Sequence, residues 1–380
     1  MSDKVELNLT DRSSATCLID SHVHYRDTWA RDLPPEAMLT RLANSGISGA
    51  FVMSESPILA QTLIDQWLAQ QLQPIQAESN PFSSSLEADP AYGYNARPIG
   101  RRGIESDGKH VSPSTWPVPF PWLDIYQNGR TSQNWWQGPL APFKDDLEIL
   151  LNQAPRWNLH GLVCAPGWAG IGEIHLQADN RFAPRFEWLM KHAEEINRPV
   201  ILHVDPVVID RAYEIAPNLD VIWAHAGPFP HTDLLSDYLR RYPRLRIDVS
   251  MRAQRLAGNM PPPASEPTEW AQPKRHSDEM GDGTRKASIA SDWETLIFEY
   301  SDRVLVGSDT FNMRRWERLP DEITAHRYWL DGLSPSIRPA LGYINALDVI
   351  EPFSSRLKAC FDRAPIRPIP EAPRAPHSDG

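Results

Sequence analysis

Residues 200–249 read VILHVDPVVIDRAYEIAPNLDVIWAHAGPFPHTDLLSDYLRRYPRLRIDV. Three short apolar runs, at 200–204, 221–226 and 245–249, are separated by two longer segments of mixed polarity. Short apolar runs are typical of buried strands, and the segments between them have the length and pattern of amphipathic helices. Strands that alternate with helices indicate βαβ units and a parallel sheet.

The same alternation extends in both directions along the chain. Further strands are predicted at 15–20 (ATCLID), 49–54 (GAFVMS), 118–126 (VPFPWLDIY), either 162–165 or 172–176, and 304–308 (VLVGS). The two prolines of VPFPWLDIY weaken the third prediction, because proline lacks the N–H that a ladder needs. Eight such units fit between residue 15 and about residue 330, so we predict a distorted (β/α)₈ barrel with long loop insertions. An open doubly wound sheet is the alternative, but no glycine-rich phosphate loop follows the first strand.

The 380 residues include 36 prolines, which indicates long irregular loops. We expect one barrel domain over residues 15–363, with insertions at about 74–142 and 258–286. A polar segment, 1–14, precedes it. A proline-rich tail, 364–380, follows it and is predicted to be disordered.

Composition excludes several classes of partner. The net charge of −11 disfavours a nucleic-acid surface, which needs clustered Lys and Arg. No apolar run reaches about 18 residues, so no membrane span is expected. The three cysteines are far apart and form no CxxC pair, which predicts neither a disulfide framework nor a thiolate zinc site and favours a cytoplasmic location. The expected partner is a small-molecule substrate, and a homo-oligomer stays open.

Polar residues recur where the predicted strands end. His22 and His24 lie two apart after the first strand, so they share one face. His203, His225 and Asp309 end three later strands. In a parallel barrel all these ends face one mouth, where the side chains can converge on a metal ion. An HxH pair alone is a weak signal; its recurrence at later strand ends strengthens it, because an apolar strand gains nothing by burying unpaired polar groups.

Glu173 is a further candidate at a strand end. Its carboxylate has two interpretations of equal weight: a bridge between two metal ions, or a supporting or solvent-exposed group. His175 shares its face and is interpreted as a hydrogen-bonded pocket histidine rather than a ligand.

The motifs DxHxH, LHxDP, WAHAG and GSDT between residues 17 and 310 resemble the amidohydrolase superfamily, most closely its amidohydrolase-related branch of metal-dependent hydrolases. That branch also includes decarboxylases of aromatic or muconate-type acids. The resemblance implies a barrel with one or two divalent ions. It implies His22, His24 and Asp309 as ligands, His203 as a further ligand, and His225 as a second-site ligand or polarising group.

The sequence departs from the family pattern at two points. No lysine lies within 162–176 to serve as the carboxylated bridge of many binuclear members; Glu173 could replace it, as in the TatD-like branch. Asp27 stands where the decarboxylases often have proline, which weakens the decarboxylase interpretation.

We therefore expect a hydrolase that uses a metal-activated water on a C–N or C–O bond of a small cyclic or carboxylated substrate, with zinc favoured and manganese as the alternative ion. Asp309 and His225 are the predicted catalytic residues, and Arg26, Tyr25 and Trp168 the predicted substrate contacts. A decarboxylase, a TatD-like phosphoesterase and a non-catalytic metal-binding barrel remain as alternatives.

Overall fold

The computed structural model describes residues 17–72, 115–123, 135–159, 162–228, 230–257 and 289–362. Ten strands lie in this part of the chain: β1 (Ile19–Tyr25), β2 (Gly49–Ser54), β3 (Trp116–Pro121), β4 (Trp157–Leu159), β5 (Leu162–Cys164), β6 (Ile171–Leu176), β7 (Val200–Val204), β8 (Val221–Trp223), β9 (Leu245–Asp248) and β10 (Val304–Leu305). Eight of them form two parallel ladders, β1-β2-β3 and β6-β7-β8-β9-β10, while β4 and β5 pair as a separate antiparallel hairpin.

Helices follow most of the parallel strands. The α-helices of the described residues are Pro35–Asn44, Pro57–Leu72, Leu140–Asn152, Pro184–Glu195, Pro206–Ile215, Thr232–Arg241, Ala253–Leu256, Ser291–Glu299, Met313–Glu317, Leu319–Gly332, Asn345–Val349 and Glu351–Phe361. Several begin with proline, whose missing N–H has no intrahelical partner in the first turn and whose fixed φ suits a helix start. None of these helices is long and apolar enough to cross a membrane.

Backbone hydrogen bonds join the two ladders at both edges. The Ser21 amide donates to the Val306 carbonyl at 2.8 Å, and the Asp309 amide to the His22 carbonyl at 2.7 Å. At the other edge, the Ala169 amide donates to the Pro119 carbonyl at 2.9 Å. The eight parallel strands therefore follow one another in a cyclic order, and the predicted distorted (β/α)₈ barrel is confirmed.

The prolines of β3 explain why the ladder is interrupted beside this strand. In a parallel pair, alternate residues direct their N–H groups to opposite neighbours. Trp116 and Trp122 donate to the Ser48 and Ser54 carbonyls on the β2 side, both at 3.0 Å. The prolines occupy the alternate positions, 117, 119 and 121, so their missing N–H groups face β6. Proline is tolerated there because this side of β3 carries no continuous ladder.

Several predicted strand boundaries shift in the structure. The third strand begins and ends earlier than predicted, at 116–121, and residues 124–126 of the prediction lie outside the described residues. Of the two alternatives for the fourth strand, 172–176 corresponds to β6, whereas 162–164 forms the hairpin strand β5. Within the described residues the first strand begins at residue 19, later than predicted, and continues through both histidines to residue 25, with all of its residues buried.

The core is one continuous cluster of buried apolar side chains that joins the strands to the helices. The helix Thr232–Arg241 illustrates its origin, since Leu235, Tyr238 and Leu239 repeat at helical spacing and are buried. Burial of each such side chain stabilises the fold by about 1.5–3 kcal/mol. Several buried polar side chains lie at or just after the carboxyl ends of the strands, among them His24, Asp248 and Asp309.

The prediction of no disulfide is wrong. Cys164 of β5 and Cys360 of the helix Glu351–Phe361 form a disulfide with a Cα–Cα distance of 5.8 Å across a sequence separation of 196 residues. Cys17 does not take part in this disulfide. Disulfides persist in oxidising compartments, so the cysteines no longer favour the cytoplasm, which stays a prediction without that support.

The domain boundaries also stay predictions. The polar segment 1–14, the insertion 258–286 and the tail 364–380 lie outside the described residues, as does much of 74–142.

Candidate metal centre

The strand ends bring a set of buried ionisable side chains to one point of the barrel mouth. β1 supplies His22 and His24, β6 supplies Glu173, and the chain after β8 and β10 supplies His225 and Asp309. All five are at most 5% exposed. His203 at the end of β7 and His175 on β6 lie beside them but are more exposed.

Four of these residues form what we call the inner group: His22, His24, His225 and Asp309. The His22 Nε2 and His24 Nε2 atoms are 3.1 Å apart, and Asp309 Oδ1 lies 3.6 Å and 3.3 Å from them. His225 Nε2 lies 3.9 Å from Asp309 Oδ2. Ligand atoms about 2.0–2.1 Å from a tetrahedral zinc ion lie roughly 3.3 Å from one another. His22, His24 and Asp309 of the inner group could therefore hold a divalent metal ion, with His225 beside them.

Glu173 lies between the inner group and an outer group, which comprises His175 and His203. Its Oε1 is 3.5 Å from the Nε2 atoms of His22 and His225, and its Oε2 is 3.4 Å from His24 Nε2. On its other side, Oε2 is 2.8 Å from His175 Nε2 and Oε1 is 3.0 Å from His203 Nδ1. The predicted ligands thus lie close together around Glu173, and His175 also contacts the Glu173 carboxylate.

Two buried residues that the sequence interpretation missed orient the inner imidazoles. Asp248 Oδ2 is 3.0 Å from His22 Nδ1, and Ser250 Oγ is 2.7 Å from His225 Nδ1. The Ser250 hydroxyl and amide both donate to Asp248 Oδ1. A histidine engaged at Nδ1 presents Nε2 to a metal in a fixed orientation. The signal that could have identified Asp248 is its position at the end of LRID, the same kind of strand terminus that identified Asp309.

Two side chains of the inner group project from backbone turns in the left-handed conformation. His225 (φ 58°) and Asp309 (φ 55°) adopt a conformation that costs a non-glycine residue about 1–2 kcal/mol. Arg252 Nε donates to the His225 carbonyl at 2.9 Å. Arg315 Nε donates to the Asp309 carbonyl at 3.0 Å, and its Nη2 donates to the Ser308 carbonyl. Each guanidinium thus stabilises, by hydrogen bonds to backbone carbonyls, the turn that carries a candidate ligand.

Irregular pairing accompanies the ligands on β1 and β6. The β1–β2 register shifts between Asp20 and Val23, and the β6–β7 register shifts between Ile171 and Ile174. Such bulges change the direction in which neighbouring side chains point. At the first of them the His22 amide donates to Asp20 Oδ1 at 3.0 Å, which satisfies a backbone group that the irregular pairing would leave unpaired.

The electrostatic balance of the site keeps two carboxylates ionised. Burial alone raises the pKa of Glu173, but the facing imidazoles of His175 and His22 outweigh it and hold the pKa well below its ordinary value. The pKa of Asp309 is lowered in the same way, since His22 and His24 outweigh burial. For Asp20, burial prevails over the hydrogen bonds from Ser308 and His22 and raises the pKa to about 6. Ionised carboxylates are what a cation needs as ligands.

The three predicted substrate contacts occupy different environments. The Arg26 guanidinium lies 4.6 Å from the ring centroid of Trp122, whose ring lies 4.2 Å from that of His24. Arg26 is thus one aromatic ring away from the inner group. Tyr25 is buried and its hydroxyl donates to the Leu33 carbonyl.

Trp168 is buried against the helix Leu140–Asn152, where its indole donates to the Leu150 carbonyl at 3.0 Å. The bonded hydroxyl of Tyr25 and the position of Trp168 give no support to a substrate contact by either residue. Arg26 keeps that role as a prediction.

No protein-family model matches the sequence, and no curated protein matches it. Solved structures that match include an uncharacterised TIM-barrel protein from Bordetella bronchiseptica, with 14% identity, a TM-score of 0.44, and coverage of 89% of this chain and 99% of that chain. A probable 2-pyrone-4,6-dicarboxylic acid hydrolase from Acinetobacter baumannii has 12% identity, a TM-score of 0.44, and coverage of 88% and 99%.

An amidohydrolase from Burkholderia multivorans with bound zinc has 14% identity, a TM-score of 0.42, and coverage of 88% and 99%. Similarities this low identify neither a reaction nor a metal for this chain.

Proposed function

We propose that this protein is a metal-dependent hydrolase that cleaves a C–N or C–O bond of a small cyclic or carboxylated substrate. The observation that carries the proposal is the convergence of three imidazole Nε2 atoms and two carboxylates, all buried, at the barrel mouth. Burial of so many polar groups destabilises a fold unless they are compensated, and a cation is the partner that all five share.

The donor set favours a first-row divalent ion. Imidazole nitrogen with carboxylate oxygen suits zinc, with manganese as the alternative. His22, His24 and Asp309 would hold it, and His225 Nε2 is placed either to join them or to polarise the scissile bond. When bound, such an ion supplies a hydroxide nucleophile at neutral pH and polarises the reacting oxygen.

Asp309 is the candidate general base and acid. Its Oδ1 lies 3.3 Å from His24 Nε2, while its Oδ2 lies 3.9 Å from His225 Nε2 and is the oxygen available for a proton. As a carboxylate beside the candidate ligands, Asp309 would accept the proton of the attacking water and then deliver it to the leaving group. Arg26 would bind a substrate carboxylate through its guanidinium.

Asp309→Asn tests this assignment. In a panel of carboxylated lactones and cyclic amides, we expect the metal-loaded wild-type protein to hydrolyse at least one member, and the variant to lose about 10²–10⁴-fold in kcat because the proton acceptor is gone. Asp302→Asn is the matched control, since the Asp302 side chain is 82% exposed, and it should leave kcat unchanged.

Near-normal turnover by folded, metal-loaded Asp309→Asn protein would exclude the general-base role. Release of CO₂ from a substrate acid without uptake of water would reassign the protein to the decarboxylases.

A further inference from the structure

His326 is a fully buried histidine outside the inner group, on the helix Leu319–Gly332. Its ring is hydrogen-bonded at both nitrogens. Nε2 lies 2.9 Å from the Gly307 carbonyl oxygen, and the Trp329 indole donates to Nδ1 at 3.1 Å. The imidazole thus contacts the backbone only two residues before Asp309.

These two contacts fix the tautomer of the His326 ring. The indole N–H of Trp329 can only donate, so Nδ1 is the acceptor, and Nε2 carries the hydrogen that is donated to Gly307. Burial lowers the pKa of His326 to about 4, which keeps the ring neutral at neutral pH. Glu322 Oε1 is 3.9 Å from Nε2, beyond hydrogen-bond distance, so the Gly307 carbonyl is the acceptor of this N–H.

The carbonyls that lead from β10 into the left-handed turn at Asp309 are held by side chains. His326 donates to the Gly307 carbonyl, and Arg315 donates to the carbonyls of the next two residues, Ser308 and Asp309. Three successive carbonyls therefore depend on two side chains from the helical layer. His326 holds the first of them, at the point where the chain enters the turn.

We propose that His326 is a positioning residue of the candidate metal centre: through the Gly307 carbonyl it fixes the turn that directs the Asp309 carboxylate toward His24. The inference rests on the proposed function, because Asp309 is the candidate ligand and general base. His326 itself contacts neither the ion nor the substrate, and it acts only through the backbone of residues 307–309.

The packing around Gly307 explains why a small movement of this segment would reach the inner group. A Cβ at residue 307 would lie 2.8 Å from the Cβ of His22 and 3.1 Å from the Cβ of Ser250. The Gly307 backbone therefore passes close to one candidate ligand and close to the serine that orients His225. In so tightly packed an interior, a displaced carbonyl changes the spacing of these side chains as well as the direction of Asp309.

Two substitutions of His326 separate its two nitrogens. His326→Gln keeps a donor at the position of Nε2, whereas His326→Asn keeps a polar atom at the position of Nδ1 but is too short to reach Gly307. The Zn²⁺ affinity of the full chain is measured by competition with a chromophoric chelator. We expect a loss of about tenfold in His326→Asn and near wild-type affinity in His326→Gln.

Two further variants complete the series. His192→Asn is the matched control, because His192 lies on a different helix, Pro184–Glu195, where its ring stacks on Trp188, and the Zn²⁺ affinity should stay at the wild-type value. His326→Leu fills the buried space with apolar atoms and has no donor. It should lose as much affinity as His326→Asn, and it replaces that variant if the latter fails to fold.

The visible spectrum of the Co²⁺-loaded protein provides a second readout. The d–d bands depend on the coordination geometry, so they should change in His326→Asn and match the wild-type bands in His326→Gln. A purely structural role would lower the Tm of His326→Asn but leave the Co²⁺ spectrum and the Zn²⁺ affinity of the folded protein unchanged. That result would overturn the inference.

The failures of the two proposals are distinguishable. Metal binding by the wild-type protein with unchanged affinity in His326→Asn would overturn the positioning role and leave the proposed function intact. Equal losses in His326→Asn and His326→Gln would exclude the Nε2 contact with Gly307 as the cause and would also overturn that role. No bound ion in the wild-type protein would overturn both proposals.

Discussion

The inner and outer groups are built from the same side chains, imidazole and carboxylate, but they differ in burial and support. His22 and His24 are fully buried, and the imidazoles of His22 and His225 are oriented by Asp248 and Ser250. His175 and His203 contact Glu173 and reach the solvent. Preorganised ligands bind a metal more tightly, so we expect the inner group to be the tighter metal site of the two.

Asp248→Asn gives the largest effect in this comparison. Asp248 supports His22 directly and His225 through Ser250, so its loss should lower the metal affinity of the inner group about 10–100-fold. Affinity is measured by competition with a chromophoric chelator, and Asp302→Asn serves as the control. An unchanged metal affinity in Asp248→Asn would contradict a supporting role for Asp248.

Arg315→Met should have a smaller effect, which is confined to the inner group. The guanidinium holds the carbonyls of Asp309 and Ser308, so its loss loosens the left-handed turn that aims the Asp309 carboxylate. We expect kcat to fall about tenfold, equivalent to about 1.4 kcal/mol, with the bound metal retained.

Two variants sharpen the Arg315 measurement. Arg315→Lys should restore part of kcat, since it returns a donor to the carbonyls, and the neighbouring Arg314→Met should leave kcat unchanged. A loss of folding in Arg315→Met, with kcat per folded molecule unaltered, would contradict a positioning role.

Cys360→Ser should change the metal binding of neither the inner nor the outer group. The disulfide joins β5 to the last described helix, whereas the ligands lie on the barrel strands and the turns after them. Cross-links of this kind stabilise typically by about 2–4 kcal/mol, so Tm should fall by several degrees while kcat and metal content stay constant. Cys17→Ser, which leaves the disulfide intact, is the control. A changed metal content in Cys360→Ser would show that the outer layer of the fold supports the site.

The difference between the two groups also separates what could be predicted from what could not. His22, His24, His203, His225 and Asp309 are recognisable because each is a polar residue at the end of an apolar run, which is a local pattern. Asp248 occupies the same kind of position but was missed. The interpretation of His175 as a hydrogen-bonded histidine agrees with its contact to Glu173, but its alignment with His203 depends on the register between two strands.

Other features depend entirely on distant contacts. The three prolines of β3 argue against a strand when only the sequence is known, because proline cannot donate to a ladder. The structure shows that their missing N–H groups face the side of β3 that has no continuous ladder. The Cys164–Cys360 pair is invisible in the sequence because 196 residues separate its members.

By itself, the amino-acid sequence determined the alternation of strands and helices, the barrel and most of the candidate ligands, because hydrophobic periodicity and polar strand ends are properties of short segments. The tertiary structure decided which nitrogen faces which oxygen, how deeply each is buried, and that Glu173 stands between two groups of imidazoles. These features follow from the closure of the barrel, which brings residues 22 and 309 into contact, and from strand register, which no short segment specifies.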